Sequence, residues 1–193
     1  MNTTRWRTVD IVVAAVVAVA FGVIFYAWDQ LWETTSFLTG FPPARAAIAG
    51  VWFLPAILGP LILSKPGAGV FTETVAAAIS ALIGAQWGLL TVLYGLIQGV
   101  GGEAPFAATG YRSANLTQAA VGGALAGAGG GYLDLIFYYP TYPPSWRFAQ
   151  IGIAAASGLL IAGIGGWALT RALARTGVLD RFPSGRERAA VDA

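Results

Sequence analysis

Three carboxylates lie in or beside long apolar stretches of the sequence: Glu73, Glu103 and Asp134. A charged side chain at membrane depth is costly and usually marks a functional site. A simpler explanation stands beside each of them. Glu73 would suit the positive end of a helix dipole close to Lys65. Glu103 would form a surface ion pair with Arg112, and Asp134 would be solvated near a helix end.

An amide and several aromatic rings accompany these acids. Gln98 lies well inside an apolar stretch, where a lone amide needs a partner. Most aromatic residues, Trp28 and Tyr138 among them, fall near predicted helix ends, where an interfacial belt is the simpler explanation. Trp52 lies about 12 Å along its predicted helix, too deep for such a belt. It therefore packs the protein interior or stacks on a ligand.

This set of side chains favours binding over catalysis. The chain has no cysteine and no histidine, which excludes disulfides, thiol nucleophiles, His-bearing zinc sites and histidine proton relays. No catalytic residue, metal site or resident cofactor is predicted. Carboxylates and glutamines can form paired hydrogen bonds with an aminopyrimidine edge, and indole faces attract flat cations. The predicted guest is a cationic or amino-substituted heteroaromatic ring.

The composition places these groups in a membrane protein. Of the 193 residues, 56% are hydrophobic and only 10% are charged, whereas a soluble domain carries about 25% charged residues. A surface with so few charges must face lipid. Because a spanning helix needs roughly 20 apolar residues, we predict an all-α bundle with six transmembrane helices. Their predicted ranges are 9–28, 44–64, 70–84, 88–106, 115–139 and 148–171.

The distribution of lysine and arginine predicts that both termini are cytosolic. With six spans, nine of the 11 basic residues fall on the cytosolic side and only Arg45 and Arg147 fall outside, a strong positive-inside bias. We predict a single transmembrane domain over residues 1–176, followed by a polar cytosolic tail over 177–193. The expected location is the prokaryotic cell membrane, with no nucleic acid partner.

Small residues recur every four positions on several helices. On the fourth to sixth helices the glycine-rich faces indicate packing inside the bundle. On the first helix, Ala14, Ala18 and Gly22 lie among valines with no polar group. That smooth face suits internal packing and docking against another membrane protein equally well.

Several motifs together resemble one family. They are Gly-Val-Trp-Phe at 50–53, Lys-Pro-Gly-Ala at 65–68 with Glu73, and Gly-Leu-Ile-Gln-Gly at 95–99 with Glu103. The chain from about Asp10 to Thr176 resembles the YkoE family, the substrate-binding (S) components of energy-coupling factor (ECF) vitamin transporters. The resemblance implies a six-helix S-component bundle that captures thiamin or its hydroxymethylpyrimidine precursor from outside.

The resemblance also implies partners: a transmembrane coupling protein (EcfT-like) and two cytosolic ATPases. The chain has no phosphate-binding loop of its own. In S components an Ala-xxx-Ala face on the first helix docks against the coupling protein, which favours docking for the stripe formed by Ala14, Ala18 and Gly22.

Two arrangements of the binding site stay open, because the predicted topology places Glu73 and Glu103 toward the cytosol. In the first, short tilted helices bring both glutamates to the substrate. In the second, they serve coupling, and the pocket consists of Trp52, Gln98, Tyr94, Asp134 and the outer aromatic residues, with Trp28 and Tyr138 among them.

Other functions are less well supported by the sequence. An S component for a different vitamin is the nearest alternative. An intramembrane enzyme would have to rely on Glu73 and Glu103, since no base other than a carboxylate is present. A structural or assembly subunit would need no pocket at all.

Overall fold

The computed structural model describes residues 5–35 and 40–185, and these residues form six helical segments. We number the segments in chain order. They are α1 (Thr8–Thr34), α2 (Pro42–Leu63), α3 (Ala68–Leu82), α4 (Leu90–Ala108), α5 (Leu116–Phe137) and α6 (Pro144–Arg175).

The all-helical membrane fold predicted from the sequence is confirmed. By length and composition, four of the helices are able to cross a membrane, namely α1, α2, α5 and α6. Helix α3 is apolar but has only 15 residues, and α4 has 19. The count of six complete spans and the cytosolic position of both termini remain predictions.

Helix α2 is the centre of the bundle, since every residue from Pro55 to Leu63 is buried. Its first half, Pro42–Phe53, is a 3-10 helix, and its second half, Leu54–Leu63, is an α-helix. The α-helical half begins at Leu54, and the N–H groups of its first turn have no partner within the helix. Helix α3 supplies side-chain partners there: Glu73 Oε2 accepts from the Ala56 N–H (2.8 Å), and Thr72 Oγ1 donates to the Pro55 carbonyl (2.7 Å).

The glycine faces of α5 and α6 bring their backbones into direct contact. A Cβ added at Gly123 would lie 2.2 Å from the Gly158 carbonyl oxygen, and one added at Gly127 would lie 2.2 Å from that of Ala154. Gly158 begins a π-helical stretch, Gly158–Gly165, within α6. The predicted internal packing of these faces is confirmed.

The small-residue stripe on α1 packs against other helices of this chain. Ala14, Ala18 and Gly22 are all buried, and a Cβ added at Gly22 would lie 2.6 Å from the side chain of Ile79 in α3. The short α3 therefore packs along this face, and docking of the stripe against a coupling protein remains a prediction. The opposite face of α1 carries exposed valines, including Val16 and Val23, and suits lipid.

The first part of the predicted polar tail packs against the bundle. Leu179 and Phe182 are buried in one apolar cluster with Ala14 and Leu58. Residues 177–185 are therefore held in place rather than frayed. The division into a bundle over 1–176 and a tail over 177–193 remains a prediction, and residues 186–193 lie outside the described part of the chain.

Candidate ligand-binding cavity

A cavity of about 220 Å³ opens at one end of the bundle. Its walls come from the C-terminal halves of α1, α3 and α5 and the N-terminal halves of α2, α4 and α6. This end is opposite the one that holds Arg5 and the C-terminal end of α6. A concave, partly apolar site with a few convergent polar groups is the usual form of a small-molecule site.

Three indoles form one wall, with Trp52 at their centre. Its ring centroid lies 5.0 Å from that of Trp32, at an interplanar angle of 60°, and 5.5 Å from that of Trp87, at 84°. The indole N–H of Trp52 donates to Asp29 Oδ1 at 2.9 Å, which fixes the orientation of its ring. This wall offers aromatic surface to a flat guest.

Asp29 is a wall residue that the sequence analysis missed. Its side chain is 1% exposed. Asp29 Oδ2 and Ser80 Oγ are both buried, and neither makes a hydrogen bond of normal geometry within residues 5–35 and 40–185. The Ser80 hydroxyl nevertheless lies close enough to the Asp29 carboxylate to interact with it. The first predicted span ended at Trp28, so Asp29 was assigned to a loop, but α1 continues to Thr34. The signal was present: Asp29 extends the buried face of Ala18, Gly22 and Phe25 at helical spacing.

Asp134 forms the centre of a polar contact between three helices. Its Oδ1 accepts from the Tyr94 hydroxyl of α4 at 2.9 Å, and its Oδ2 accepts from the Gln150 amide of α6 at 2.8 Å. Both carboxylate oxygens therefore have protein partners. The group adds negative charge to the cavity while its position is fixed by α4 and α6.

The depth of the cavity depends on a glycine. Gln98, only 6% exposed, lines the wall beside Gly130. A Cβ added at Gly130 would lie 3.0 Å from Gln98 Nε2 and 3.5 Å from the ring of Phe53. Glycine at this position leaves room for the amide to face the cavity.

One guanidinium and one exposed acid lie at the cavity mouth. Arg45 donates to Thr35 Oγ1 at 3.0 Å and to the Trp32 carbonyl at 2.9 Å, with its guanidinium 4.5 Å from the centre of the Trp32 ring. Glu33 accepts from the Gln86 amide at 3.0 Å. Among the described residues, the cavity lining thus has three carboxylates, those of Asp29, Glu33 and Asp134, and one guanidinium, that of Arg45. This balance favours a cationic guest.

Tyrosines from the α5–α6 loop border the opening. Tyr138 and Tyr139 line the cavity, and the Tyr139 ring stacks on that of Tyr142 with centroids 4.5 Å apart and an angle of 7°. Burial raises the pKa of the Tyr142 phenol to about 12. This ring is therefore neutral at physiological pH and adds no charge to the mouth.

Five of the eight binding residues predicted from the sequence lie together in this cavity: Trp52, Tyr94, Gln98, Asp134 and Tyr138. This arrangement corresponds to the second of the two predicted sites, the one without the glutamates. The binding roles of these residues remain predictions.

The other three predicted residues lie outside the cavity lining, and their side chains form hydrogen bonds with backbone groups. Trp28 donates its indole N–H to the Ile48 carbonyl at 3.1 Å. Glu73 accepts from α2, as described above. Glu103 accepts from the backbone N–H groups of Gly67 and Val70 at the start of α3, and from the Tyr111 hydroxyl. Both glutamates therefore join helices at a distance from the cavity.

The structure also offers no clear metal site among the residues it describes. Within 5–35 and 40–185, no three Asp or Glu side chains come together as a possible metal-binding group.

Comparisons with known proteins agree with this architecture. Residues 9–129 match the family described as the permease component of an ABC-type cobalt transport system. The putative HMP/thiamine permease protein YkoE of Bacillus subtilis (strain 168) is 30% identical over 183 residues, which cover 94% of this chain and 92% of the relative. The crystal structure of an S component of an ECF transporter matches with a TM-score of 0.90 and 30% identity, over 98% of this chain and 99% of the other. The chain therefore belongs to this permease family and is a YkoE-like S component of an ECF transporter, a multi-pass protein of the prokaryotic cell membrane.

Proposed function

We propose that this chain captures thiamin or its hydroxymethylpyrimidine precursor from outside the cell, as the substrate-binding subunit of an ECF importer. The observation that carries the proposal is a cavity in which an indole wall faces an excess of carboxylates. The named activity of the YkoE relative, HMP/thiamine permease, agrees with that chemistry.

Both candidate substrates match the wall chemistry. Each contains an aminopyrimidine, a flat ring with hydrogen-bond donors at its edge, and thiamin adds a permanently cationic thiazolium ring. A cation over an indole face gains about 0.5–2 kcal/mol, with the larger value where water is excluded. Carboxylates at the edge of the cavity contribute charge-assisted hydrogen bonds as well.

The basic residues support an outward-facing cavity. Of the basic residues that the structure describes, Arg45 and Arg147 lie at the cavity end. The others lie at the opposite end of the bundle: Arg5, Arg7, Lys65, Arg112, Arg171, Arg175 and Arg181. Under the positive-inside rule the basic end is cytosolic. The cavity then meets substrate at the outer surface.

Titration of the purified protein in detergent tests the substrate assignment. We expect thiamin or hydroxymethylpyrimidine to quench tryptophan fluorescence saturably, because Trp32, Trp52 and Trp87 line the site, while biotin leaves the emission unchanged. If both pyrimidines give flat titrations, the substrate assignment is wrong and another vitamin becomes the better hypothesis.

We further propose that uptake requires a transmembrane coupling protein and two cytosolic ATPases. ATP hydrolysis is assigned to these partners, because the sequence has no phosphate-binding loop. Vesicles containing this chain alone should bind substrate without accumulating it, and adding the partners with ATP should produce accumulation. Accumulation by the chain alone would contradict the proposal.

A further inference from the structure

We infer that Asp29 and Ser80 form the subsite that recognises the amino-bearing edge of the pyrimidine, and so determine which heteroaromatic rings this protein accepts. The inference rests on the proposed function. It adds the pair of residues that would contact the substrate and the group that they would recognise, the amino-bearing edge of the ring. It follows from a comparison of the three cavity carboxylates, which differ in burial and in how many of their oxygens already accept a hydrogen bond.

Two of the three cavity carboxylates are poorly suited to the role. Asp134 uses one oxygen for the Tyr94 hydroxyl and the other for the Gln150 amide. Glu33 is exposed at the mouth, where water competes for its oxygens, and it already accepts from Gln86. Each of them shapes the electrostatic potential of the cavity without offering a dry, unoccupied acceptor.

Asp29 differs from the other two acids because it is buried and only one of its two carboxylate oxygens accepts a hydrogen bond of normal geometry. Its Oδ1 accepts from the Trp52 indole, which orients the carboxylate, while Oδ2 accepts no such bond within the described residues. Ser80 Oγ, on the facing helix α3, is fully buried and makes no hydrogen bond of normal geometry there, although its hydroxyl lies close enough to the Asp29 carboxylate to interact with it. Buried polar atoms are nearly always hydrogen-bonded, and such exceptions call for an explanation. A ligand with two adjacent donors would satisfy both atoms.

The local charges point to a donor-rich ligand edge. Arg45, the one cation among the lining residues that the structure describes, donates to Thr35 and Trp32, with its guanidinium over the Trp32 ring. The buried Asp29 carboxylate therefore lacks a basic partner among the residues of the lining, and an isolated buried charge is unfavourable. An exocyclic amino group beside a protonated ring nitrogen presents two N–H donors, and Trp52 next to the acid gives the ring a stacking surface.

The inference can be tested with two probes that differ at one group. The first is 4-amino-5-hydroxymethyl-2-methylpyrimidine, and the second is its 4-oxo analogue of the same size. We expect the unaltered protein to prefer the amino probe by about 10- to 100-fold, the range for a hydrogen bond to a buried charged group.

The Asp29→Asn variant should remove that preference. Asparagine keeps an oxygen for the Trp52 N–H, so the indole remains in place, but its NH₂ group replaces Oδ2 and opposes an amino donor. The Ser80→Ala variant, which does not touch Trp52, should weaken the preference by about 3- to 10-fold. Asp180→Asn is the matched control, an exposed aspartate at the opposite end of the chain, and should leave the preference unchanged.

The possible results separate this inference from the proposed function. If the unaltered protein binds the amino probe and both cavity variants retain its full preference, the Asp29–Ser80 subsite is wrong although pyrimidine capture stands. If the unaltered protein binds neither probe nor thiamin, the proposed function fails as well. Loss of preference in folded Asp29→Asn, verified by an unchanged thermal transition, supports the inference.

Discussion

Replacing Glu73 by leucine should destabilise the bundle, whereas replacing it by glutamine should be tolerated. Glu73 is fully buried, and its Oε2 accepts from the Ala56 N–H in the first turn of the α-helical half of α2. Leucine fills a similar space but offers no acceptor, so the Ala56 N–H loses its partner in an apolar interior. Glutamine retains an acceptor oxygen in nearly the same place, and its NH₂ group takes the position of Oε1, which has no hydrogen-bond partner among the described residues.

The size of the effect follows from the type of donor. Interhelical hydrogen bonds in membranes are worth about 0.6 kcal/mol on average, because a separated helix finds other partners for its side chains. A backbone N–H in the first turn of a helix has no such alternative, so the larger figure of about 1–3 kcal/mol for an unsatisfied buried group applies. We expect Glu73→Leu to be less stable than Glu73→Gln by that amount.

Reversible unfolding in mixed detergent and SDS micelles, followed by circular dichroism, measures this difference. Ligand binding by the folded fraction of Glu73→Gln should remain within about twofold of the unaltered protein, because Glu73 does not line the cavity. Equal stability of the leucine and glutamine variants would refute the structural role of Glu73. A large loss of binding in a stable glutamine variant would restore it as a substrate contact.

Three further substitutions test the cavity and the packing around it. Trp52→Ala should weaken binding by about 5- to 150-fold in a fluorescence or dialysis titration, the range for one ring stacked on an aromatic side chain. Gly130→Ala should lower affinity without lowering thermal stability, since its Cβ would lie 3.0 Å from Gln98 Nε2 inside the cavity. Gly123→Ala should lower the unfolding midpoint because its Cβ would lie 2.2 Å from a carbonyl oxygen of α6, whereas Gly152→Ala, with nothing within 4 Å, should not.

Much of the fold was predictable from the sequence because it depends on composition and periodicity. Apolar runs separated by breakers located the six helices to within several residues. The glycine faces of α5 and α6 indicated close backbone contact, because small residues are what such contacts require. The depth of Trp52 in its predicted helix singled it out from the other aromatic residues, and it lies in the cavity wall.

The sequence was least informative where the role of a residue depends on its neighbours in space. Gly22 lies on a smooth stripe that suits lipid, a partner or another helix equally well, and the packing of α3 against it is not visible in the sequence. Glu73 and Glu103 were noticed as acids in apolar stretches, but the first-turn N–H groups of α2 and α3 from which they accept are not visible in the sequence either. Asp29 was missed because α1 extends beyond its apolar run.

The central claim is that a site containing Trp52 takes up its ligand from the outer side of the membrane. Binding of radiolabelled thiamin to sealed membrane vesicles of opposite orientation tests it most directly. Right-side-out vesicles carrying the protein should bind thiamin saturably, inside-out vesicles should not, and Trp52→Ala should reduce the signal in the first set. Saturable binding confined to inside-out vesicles, or binding that is unaffected by Trp52→Ala, would contradict the account.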